Sequence, residues 1–210
     1  MMRFSAILLA AGESRRMGEV NKLTLPVAGE PLLRRTARTL LRAGLEEVVV
    51  VLGHQRHVSE PLLRDLPLCV VSNDDYLDGQ MTSVHRGMAA MQQPCDAVLV
   101  CLADLPLLEV ADLHRLTGAF VDCPTSVLVP TYRGARGNPI VLAYEHREQI
   151  LAGDRNLGCR RLVEKHPELV TALEMDTDHV VFDLDTPEAY ERLQRRLGGS
   201  DAANPVSNYG

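Results

Sequence analysis

A loop rich in glycine and basic residues follows the first apolar run of the chain. Residues 9–22 read LAAGESRRMGEVNK, in which Gly12 precedes Arg15, Arg16 and Lys22. Glycine allows the backbone to approach a phosphate closely, and the basic side chains supply positive charge. The glycine spacing fits neither G-x-G-x-x-G nor the P-loop. The alternative is a solvated basic surface loop, but the clustering after a strand favours a site for a phosphate.

Acidic side chains follow two later apolar runs. Asp104 comes just after the run at 97–102, and Asp183 and Asp185 lie at the end of another short run. A carboxylate among apolar neighbours is costly to bury without a cation, and Mg²⁺ shared between carboxylates and substrate phosphates would supply one. Each aspartate has a plainer alternative: Asp104 as a turn or helix cap, and Asp185 or Thr186 as the cap of the following helix. The residues alone leave both interpretations open.

Small and polar residues at 79–87 form a third candidate group, which includes Gly79 and Ser83. They lie where a helix is predicted to begin, and the start of a helix offers free backbone N–H groups to a base or a phosphate. The alternative is an ordinary capped helix.

The elements that position these residues alternate between strand and helix. The predicted strands are 4–10, 48–52, 68–72, 97–102, 126–130, 139–143, 170–173 and 180–184, and the predicted helices are 32–41, 82–92, 109–120, 156–166 and 187–197. The early β-α-β-α order predicts an α/β fold with a mostly parallel, doubly wound sheet, helices on both faces and a mixed edge. Ligands bind such sheets at the carboxyl ends of the strands, where the basic loop and Asp104 lie.

Length and composition fit one globular domain. The chain has 210 residues, of which 46% are hydrophobic and 24% are charged, and about 200 residues suffice for one well-formed core. We expect a single domain over 1–198 and a flexible tail over 199–210, where the sequence is polar and rich in glycine and proline.

The charge distribution favours a small anionic ligand. The net charge is −6, which argues against a nucleic-acid binder, because such proteins need a basic surface. Residues 1–40 nevertheless carry seven Arg or Lys against three Glu. The five cysteines are odd in number and none are spaced C-x-x-C, which argues against a disulfide framework or a zinc ribbon. With no apolar run long enough for a membrane span, we expect a cytoplasmic protein.

Several segments together resemble a known family. They are LAAGESRRMGEVNKL at 9–23, LPVAGEPLL at 25–33, GQMTSV at 79–84, LADLPLL at 102–108, GARGNPI at 134–140, GD at 153–154 and DLDTPEAY at 183–190. Over about residues 1–195 the chain resembles the MobA-like nucleotidyltransferases, and among them most of all the molybdenum cofactor cytidylyltransferases. The opening motif is highly specific, and the later ones support it.

The resemblance implies a single Rossmann-like domain of the nucleotide-diphospho-sugar transferase type. Its first half would bind a nucleoside triphosphate and Mg²⁺, or Mn²⁺ as an alternative, and its second half the acceptor. The residues implied to contact the nucleotide are Leu9, Ala10, Ala11, Gly12, Arg15, Lys22, Gly79 and Ser83. The implied catalytic residues are Arg16, Lys22 and Asp104, the implied metal ligands are Asp104 and Asp185, and the implied acceptor contacts are Arg136, Gly137 and Asn138.

The resemblance also implies a substrate. The guanylyl-transferring branch has L-A-G-G where this chain has LAAG, so Ala11 favours CTP. One departure is Asn138, where many cytidylyltransferases have His. The expected reaction transfers CMP from CTP to a molybdopterin-type phosphate and releases pyrophosphate, in molybdenum cofactor biosynthesis. Expected partners are these small molecules and a molybdoenzyme or its chaperone, with no nucleic acid and no membrane.

Three alternatives remain open at the level of sequence. The first is transfer to another phosphorylated acceptor, either guanylyl transfer or transfer to a sugar or polyol phosphate. The second is a nicotinamide-dependent oxidoreductase, against which the missing G-x-G-x-x-G argues. The third is a non-enzymatic module that delivers a cofactor to a molybdoenzyme, against which the intact basic and acidic candidates argue.

Overall fold

The computed structural model describes residues 1–18, 20–122, 125–153 and 167–201. The strands are β1 (Phe4–Ala10), β2 (Pro26–Val27), β3 (Glu30–Pro31), β4 (Val48–Leu52), β5 (Cys69–Ser72), β6 (Ala97–Leu102), β7 (Val127–Tyr132), β8 (Ala135–Arg136), β9 (Ile140–Ala143) and β10 (Val170–Glu174). The α-helices are α1 (Leu32–Arg42), α2 (Arg56–Ser59), α3 (Gln80–Ala90), α4 (Val110–Asp122), α5 (Arg147–Leu151) and α6 (Pro187–Asp201).

Eight strands form one mostly parallel sheet. Seven of them lie in the order β10-β7-β9-β6-β1-β4-β5, and β8 pairs with β7 beside them. β9 runs antiparallel to both of its neighbours, β6 and β7. We predicted a mixed edge, but the antiparallel strand β9 lies inside the sheet. β2 and β3 form a separate two-stranded hairpin.

The two faces of the sheet have separate cores, and β1 shows why. Its side chains alternate, so that Ala6, Leu8 and Ala10 pack on one face while Ile7 and Leu9 pack on the other. The first face is covered by α1 and α4, and the second by α3 and α5. A strand buried on both faces needs a continuous apolar run, which is the pattern seen in β1 and β4.

A third, smaller core holds the last helix against the β2–β3 hairpin. Leu193 of α6 packs with Val27 and Leu184, and the hydroxyl of Tyr190 donates to the carbonyl of Pro26 at 2.9 Å. These contacts bring the chain just before α6 next to the loop that follows β1.

Most predicted elements are present: the strands predicted at 4–10, 48–52 and 97–102 have the predicted bounds, and most other ends differ by no more than two residues. The strand predicted at 180–184 is wrong: a short 3₁₀ helix covers Asp178–Val180, and residues 181–186 form no strand. The helix predicted at 156–166 lies outside the described residues. The last helix continues to Asp201, past the predicted start of the tail, and residues 202–210 also lie outside the described part. Among the described helices, none is long and apolar enough to cross a membrane.

Candidate functional site

The loop after β1 makes two 3₁₀ turns that bring Lys22 inward. The first covers Arg15–Met17 and the second begins at Lys22. The second turn is capped by Asn21, whose side chain accepts from the backbone N–H of Leu23 at 3.1 Å. This cap fixes the backbone direction at Lys22.

Lys22 joins two carboxylates from distant parts of the chain. Its Nζ lies 2.6 Å from Asp104 Oδ2 and 2.6 Å from Asp185 Oδ1. The Lys22 side chain is only 13% exposed. Arg16, which is much more exposed, donates to the other oxygen of Asp185. The predicted catalytic residues therefore meet the predicted metal ligand Asp185, more than 160 positions away from Lys22 and Arg16, in one charged cluster.

The charges in this cluster shift two pKa values. Burial acts to lower the pKa of Lys22, but the charges and hydrogen bonds of Asp104 and Asp185 outweigh it, so that the pKa is raised. Lys22 is therefore a fixed cation at neutral pH. Partial desolvation, together with the negative charges of Asp104 and Asp185, raises the pKa of Asp183 to about 6, although part of this side chain reaches solvent. The three carboxylates of Asp104, Asp183 and Asp185 thus outnumber the two cations, Lys22 and Arg16.

Asp104 has an unused ligand atom that fits a metal. Its Oδ1 is buried and has no hydrogen-bond partner among the described residues, and such an atom is costly unless a cation or a donor meets it. Within the described ranges, no three His, Cys, Asp or Glu side chains form a complete metal site. Asp104 and Asp185 therefore fit an ion that takes its remaining ligands from substrate phosphates and water.

Asp185 does not cap the helix that follows it. Thr186 does so, because its Oγ1 accepts from the backbone N–H of Ala189 at 3.2 Å. The Asp185 carboxylate instead contacts Lys22 and Arg16. The sequence left two interpretations open for Asp185, a helix cap and a metal ligand, and the structure excludes the helix cap.

A cavity of about 240 Å³ opens at the carboxyl ends of β1 and β6. It is lined by Leu9, Ala10, Ala11, Gly12, Lys22, Leu23, Tyr76, Gln80, Ser83, Leu102, Ala103 and Asp104. Its ionisable lining residues, apart from Tyr76, are Lys22 and Asp104. Tyr76, Gln80 and Ser83, which follow β5 in the chain, contribute uncharged side chains to this lining. We call this space the nucleotide cavity.

A second cavity of about 450 Å³ adjoins the first. It is lined by Gln80, Val100, Leu102, Arg136, Gly137, Asn138 and Ile140. Gln80 and Leu102 line both spaces. The residues predicted to bind the acceptor therefore line one cavity, which we call the acceptor cavity, beside the nucleotide cavity.

Of the residues predicted to contact the nucleotide or to be catalytic, three lie outside the lining of the nucleotide cavity. Arg15 is exposed and pairs with Glu13 at 2.6 Å. Gly79 has a φ of 109° and accepts hydrogen bonds from Thr82, so its place is the turn before α3. Arg16 reaches the charged cluster through Asp185.

Sequence reasoning missed Tyr76 and the buried Asn73, and it included Gln80 only as part of the segment 79–87. Asn73 directly follows β5, at the same edge of the sheet as Asp104. That position was the available signal, since polar residues at the carboxyl ends of parallel strands face the ligand. Tyr76 gave no such signal, because it lies in a turn whose direction depends on tertiary packing.

Comparison with known proteins gives one family. Residues 6–170 match the MobA-like NTP transferase domain. The chain is 31% identical to nicotine blue oxidoreductase of Paenarthrobacter nicotinovorans, covering 90% of this chain and 95% of that protein. It is 32% identical to purine catabolism protein PucB of Bacillus subtilis, covering 91% and 96%. It is 31% identical to a probable molybdenum cofactor guanylyltransferase of Chloroflexus aggregans, covering 94% and 96%.

Solved structures agree with this fold. The crystal structure of Rv0371c from Mycobacterium tuberculosis superimposes with a TM-score of 0.79 at 25% identity, covering 91% of this chain and 97% of that chain. A manganese complex of the same protein matches with a TM-score of 0.75 at 23% identity, covering 91% and 97%.

Proposed function

The chain belongs to the MobA-like NTP transferase domain family, and from that premise we propose that it transfers CMP from CTP to a molybdopterin-type phosphate. As a member of this family it is a nucleotidyltransferase with a Rossmann-like fold. The base, the acceptor and the metal are the proposed parts, as are a cytoplasmic location and delivery of the product to a molybdoenzyme or its chaperone.

One observation carries the proposal. The Lys22–Asp104–Asp185 cluster borders a cavity whose wall includes the glycine-rich loop, and this cavity adjoins a second one lined by Arg136, Gly137 and Asn138. A transfer reaction needs two binding spaces side by side, so that the two substrates can be positioned next to each other. The two adjoining cavities meet that requirement.

The proposed reaction is an in-line displacement. The terminal phosphate of the acceptor attacks the α-phosphorus of CTP, a new P–O bond forms, the bond to the β-phosphate oxygen breaks, and pyrophosphate leaves. The acceptor phosphate is already an anion at pH 7, so no strong general base is needed. The chain contributes position and charge: Lys22 and Arg16 neutralise the triphosphate, and the backbone at Gly12 allows its close approach.

Asp104 and Asp185 are the residues that would hold Mg²⁺. When bound, the ion would stabilise the charge that develops between the α- and β-phosphates. Support comes from the unpartnered Oδ1 of Asp104 and from the manganese complex of a protein with this fold.

Ala11 supports the choice of a cytosine base. It lines the nucleotide cavity, and its backbone carbonyl accepts from the N–H of His54 at 3.1 Å. Gly53 lies so close that a Cβ added there would stand 2.7 Å from the Cβ of Ala11. The Ala11 methyl is thus held in a rigid wall, where it reduces the space that a glycine would leave for a larger base.

The test of the proposal is release of pyrophosphate. The protein is incubated with each of the four nucleoside triphosphates and Mg²⁺, with and without a molybdopterin-type acceptor or a sugar phosphate. We expect release only with a nucleotide and the molybdopterin-type acceptor together. Release of pyrophosphate with the sugar phosphate instead would assign another acceptor. If no pyrophosphate is released with either acceptor, transfer to a phosphorylated acceptor is contradicted.

We predict that CTP is preferred over GTP. In a competition at equimolar CTP and GTP, the cytidine product should exceed the guanosine product by at least about tenfold, the ratio that a difference of about 1.4 kcal/mol in transition-state binding gives. Ala11→Gly is the informative variant, because it widens the wall and should move the ratio towards GTP. A guanosine product in excess from the parent protein would assign the chain to guanylyl transfer.

A second candidate is an oxidoreductase, favoured by the name of one relative, nicotine blue oxidoreductase. The two are distinguished by their products. An oxidoreductase would oxidise or reduce its substrate with no release of pyrophosphate, whereas the proposed transferase would release pyrophosphate in proportion to the nucleotide consumed.

A further inference from the structure

Asn73 is a fully buried polar residue beside the nucleotide cavity. It follows β5 and has no exposed surface. Its side-chain Nδ2 donates to Ser83 Oγ at 2.9 Å and to Thr82 Oγ1 at 2.8 Å. Its Oδ1 accepts from the backbone N–H of Asp75 at 3.0 Å.

The contact with Asp75 fixes which way the Asn73 amide faces. A backbone N–H can only donate, so the atom beside it must be the amide oxygen. The NH₂ group must then face the two hydroxyls, and both hydroxyl oxygens must accept from it. The direction of these hydrogen bonds is therefore set by the backbone and not by the hydroxyls.

The hydroxyls of Thr82 and Ser83 differ in whether the protein offers an acceptor for their protons. Thr82 donates its proton to protein carbonyls, at 2.8 Å from Gly79 O and 3.0 Å from Asp75 O. Ser83 lines the nucleotide cavity, and its hydroxyl has no acceptor among the described residues. Its oxygen accepts from Asn73, so its proton is left for a ligand.

The family resemblance already implies that Ser83 contacts the nucleotide; we propose that Asn73 is a positioning residue that makes the Ser83 hydroxyl a hydrogen-bond donor to the nucleobase. Ser83 contributes an uncharged hydroxyl to the lining of this cavity, whereas Lys22 and Asp104 contribute the charges that suit the phosphates. The group it recognises is an acceptor on the base, a carbonyl oxygen or an unprotonated ring nitrogen. This inference rests on the proposed function in one respect, namely that the cavity holds a nucleotide.

The experiment measures binding directly, by isothermal titration with CTP and, separately, with inorganic tripolyphosphate, both with Mg²⁺. Tripolyphosphate carries the phosphate groups of a nucleotide but no base, so it tests the contribution of the charged lining residues alone. The variants are Asn73→Leu, Ser83→Ala and the double variant, all of which preserve charge. Thr82→Val is the matched control, because it removes the other hydroxyl partner of Asn73 and a bond near the start of α3 but does not touch the cavity.

We expect Asn73→Leu and Ser83→Ala each to weaken CTP binding by about 3- to 10-fold, the range for one lost hydrogen bond. Tripolyphosphate binding should change by less than about 2-fold. In the Ser83→Ala background, Asn73→Leu should add less than about 2-fold, since the group it positions is absent. Thr82→Val should lower the melting temperature while leaving CTP binding unchanged.

Two outcomes would overturn the inference alone. One is unchanged CTP binding in Ser83→Ala, which tests the donor even if Asn73→Leu does not fold. The other is an equal loss for CTP and tripolyphosphate, which would make Asn73 a general structural residue. If the parent prefers another nucleotide, the same titrations are run with it, so the base assignment can fail while this inference stands. A parent that binds no nucleotide would overturn both.

Discussion

At the scale of single residues, Lys22 has the most demanding position in the site. It is largely buried, yet it stays charged because Asp104 and Asp185 contact it from two sides. A bound triphosphate would bring at least three more negative charges to the same place. Lys22 therefore balances the protein's own carboxylates and also lines the cavity that would receive the substrate.

We predict that Lys22→Ala and Arg16→Ala both lose transferase activity, by about 100-fold or more, because each removes charge that stabilises the transition state. Their stabilities should differ. Lys22→Ala leaves Asp104 and Asp185 without their shared cation and should lower the melting temperature by several degrees. Arg16 has a side chain that is 69% exposed, so its loss should leave the melting temperature unchanged.

Arg3→Ala is the matched control for both variants. Arg3 also pairs with an aspartate, Asp96, but it lies at the amino end of β1, on the opposite edge of the sheet. It should keep full activity. Parental turnover by Lys22→Ala would contradict its place in the site.

We predict that Asp104→Asn lowers activity by orders of magnitude with little change in stability. The substitution keeps size but removes the charge that would hold Mg²⁺, and it also relieves the crowding of Asp104 with Asp183 and Asp185. The measurements are turnover and melting temperature, each over a range of Mg²⁺ concentrations. A capping role would give another result, since Asn caps helices about as well as Asp. Near-parental turnover with unchanged Mg²⁺ dependence would exclude Asp104 as the metal ligand.

At the scale of elements, the segment 178–185 connects the two cavities. The carbonyl of Val180 accepts from the backbone N–H of Asn138 at 2.8 Å, and a Cβ on Gly137 would stand 2.4 Å from that carbonyl oxygen. Four residues later, the N–H of Leu184 donates to the carbonyl of Asp104 at 2.9 Å. One short segment thus touches Gly137 and Asn138, which line the acceptor cavity, at one end and the charged cluster at the other.

We predict that Arg196→Gln destabilises this segment in a pH-dependent way. Arg196 of α6 makes two 2.8 Å hydrogen bonds to Asp178 and lowers the pKa of that carboxyl. Because the folded-state pKa is lowered, the pair stabilises the fold above the ordinary carboxyl pKa of about 4, and this is lost as the pH falls through the folded value. Both side chains are partly exposed, so the expected cost at pH 7 is about 0.5 kcal/mol.

Thermal unfolding of parent and variant at several pH values is the measurement. The variant should melt about 1–2 °C lower at pH 7, and the difference should shrink below pH 4. Arg195→Gln is the control on the same helix, since Arg195 is exposed and forms no ion pair with a carboxylate of the described residues, so it should show no such pH dependence. A difference that grows as the pH falls would contradict the assignment to Asp178.

The same segment shows where prediction from sequence reaches its limit. Buried strands such as β1 and β4 could be predicted, because burial on both faces demands an unbroken apolar run. Residues 180–184 have a similar pattern, but their apolar side chains serve different partners: Val180 belongs to the main core and Leu184 to the small core under α6. Local periodicity cannot distinguish these cases, since the partners come from distant parts of the chain.

Part of the candidate site could likewise be predicted from the sequence, and part of it could not. The loop at Gly12, Lys22 and Asp104 could be assigned from strand ends and residue types, and the structure brings Lys22 and Asp104 into contact. The amide of Asn73 could not, because its role depends on three hydrogen bonds that only the folded chain brings together.

At the scale of the whole molecule, the ligand groups gather at one edge of the sheet. The parallel strands β1, β5 and β6 have their carboxyl ends at this edge, so the loops that follow them lie there. Gln80 and Leu102 lie between the two cavities and line both. A nucleotide and an acceptor bound there would be neighbours without any movement of one half of the molecule against the other.

The reversed direction of β9 places the two halves of the proposed site on different strands. Because β9 runs opposite to β6, it brings its beginning to the ligand edge, and the hairpin of β7 and β8 precedes it there. The acceptor loop is thus anchored on strands other than those that carry the glycine-rich loop. If this loop binds the acceptor as proposed, a substitution in that hairpin would alter acceptor binding while β1 and β4 keep their register. The choice of acceptor and the binding of the nucleotide would then be separable properties of one fold.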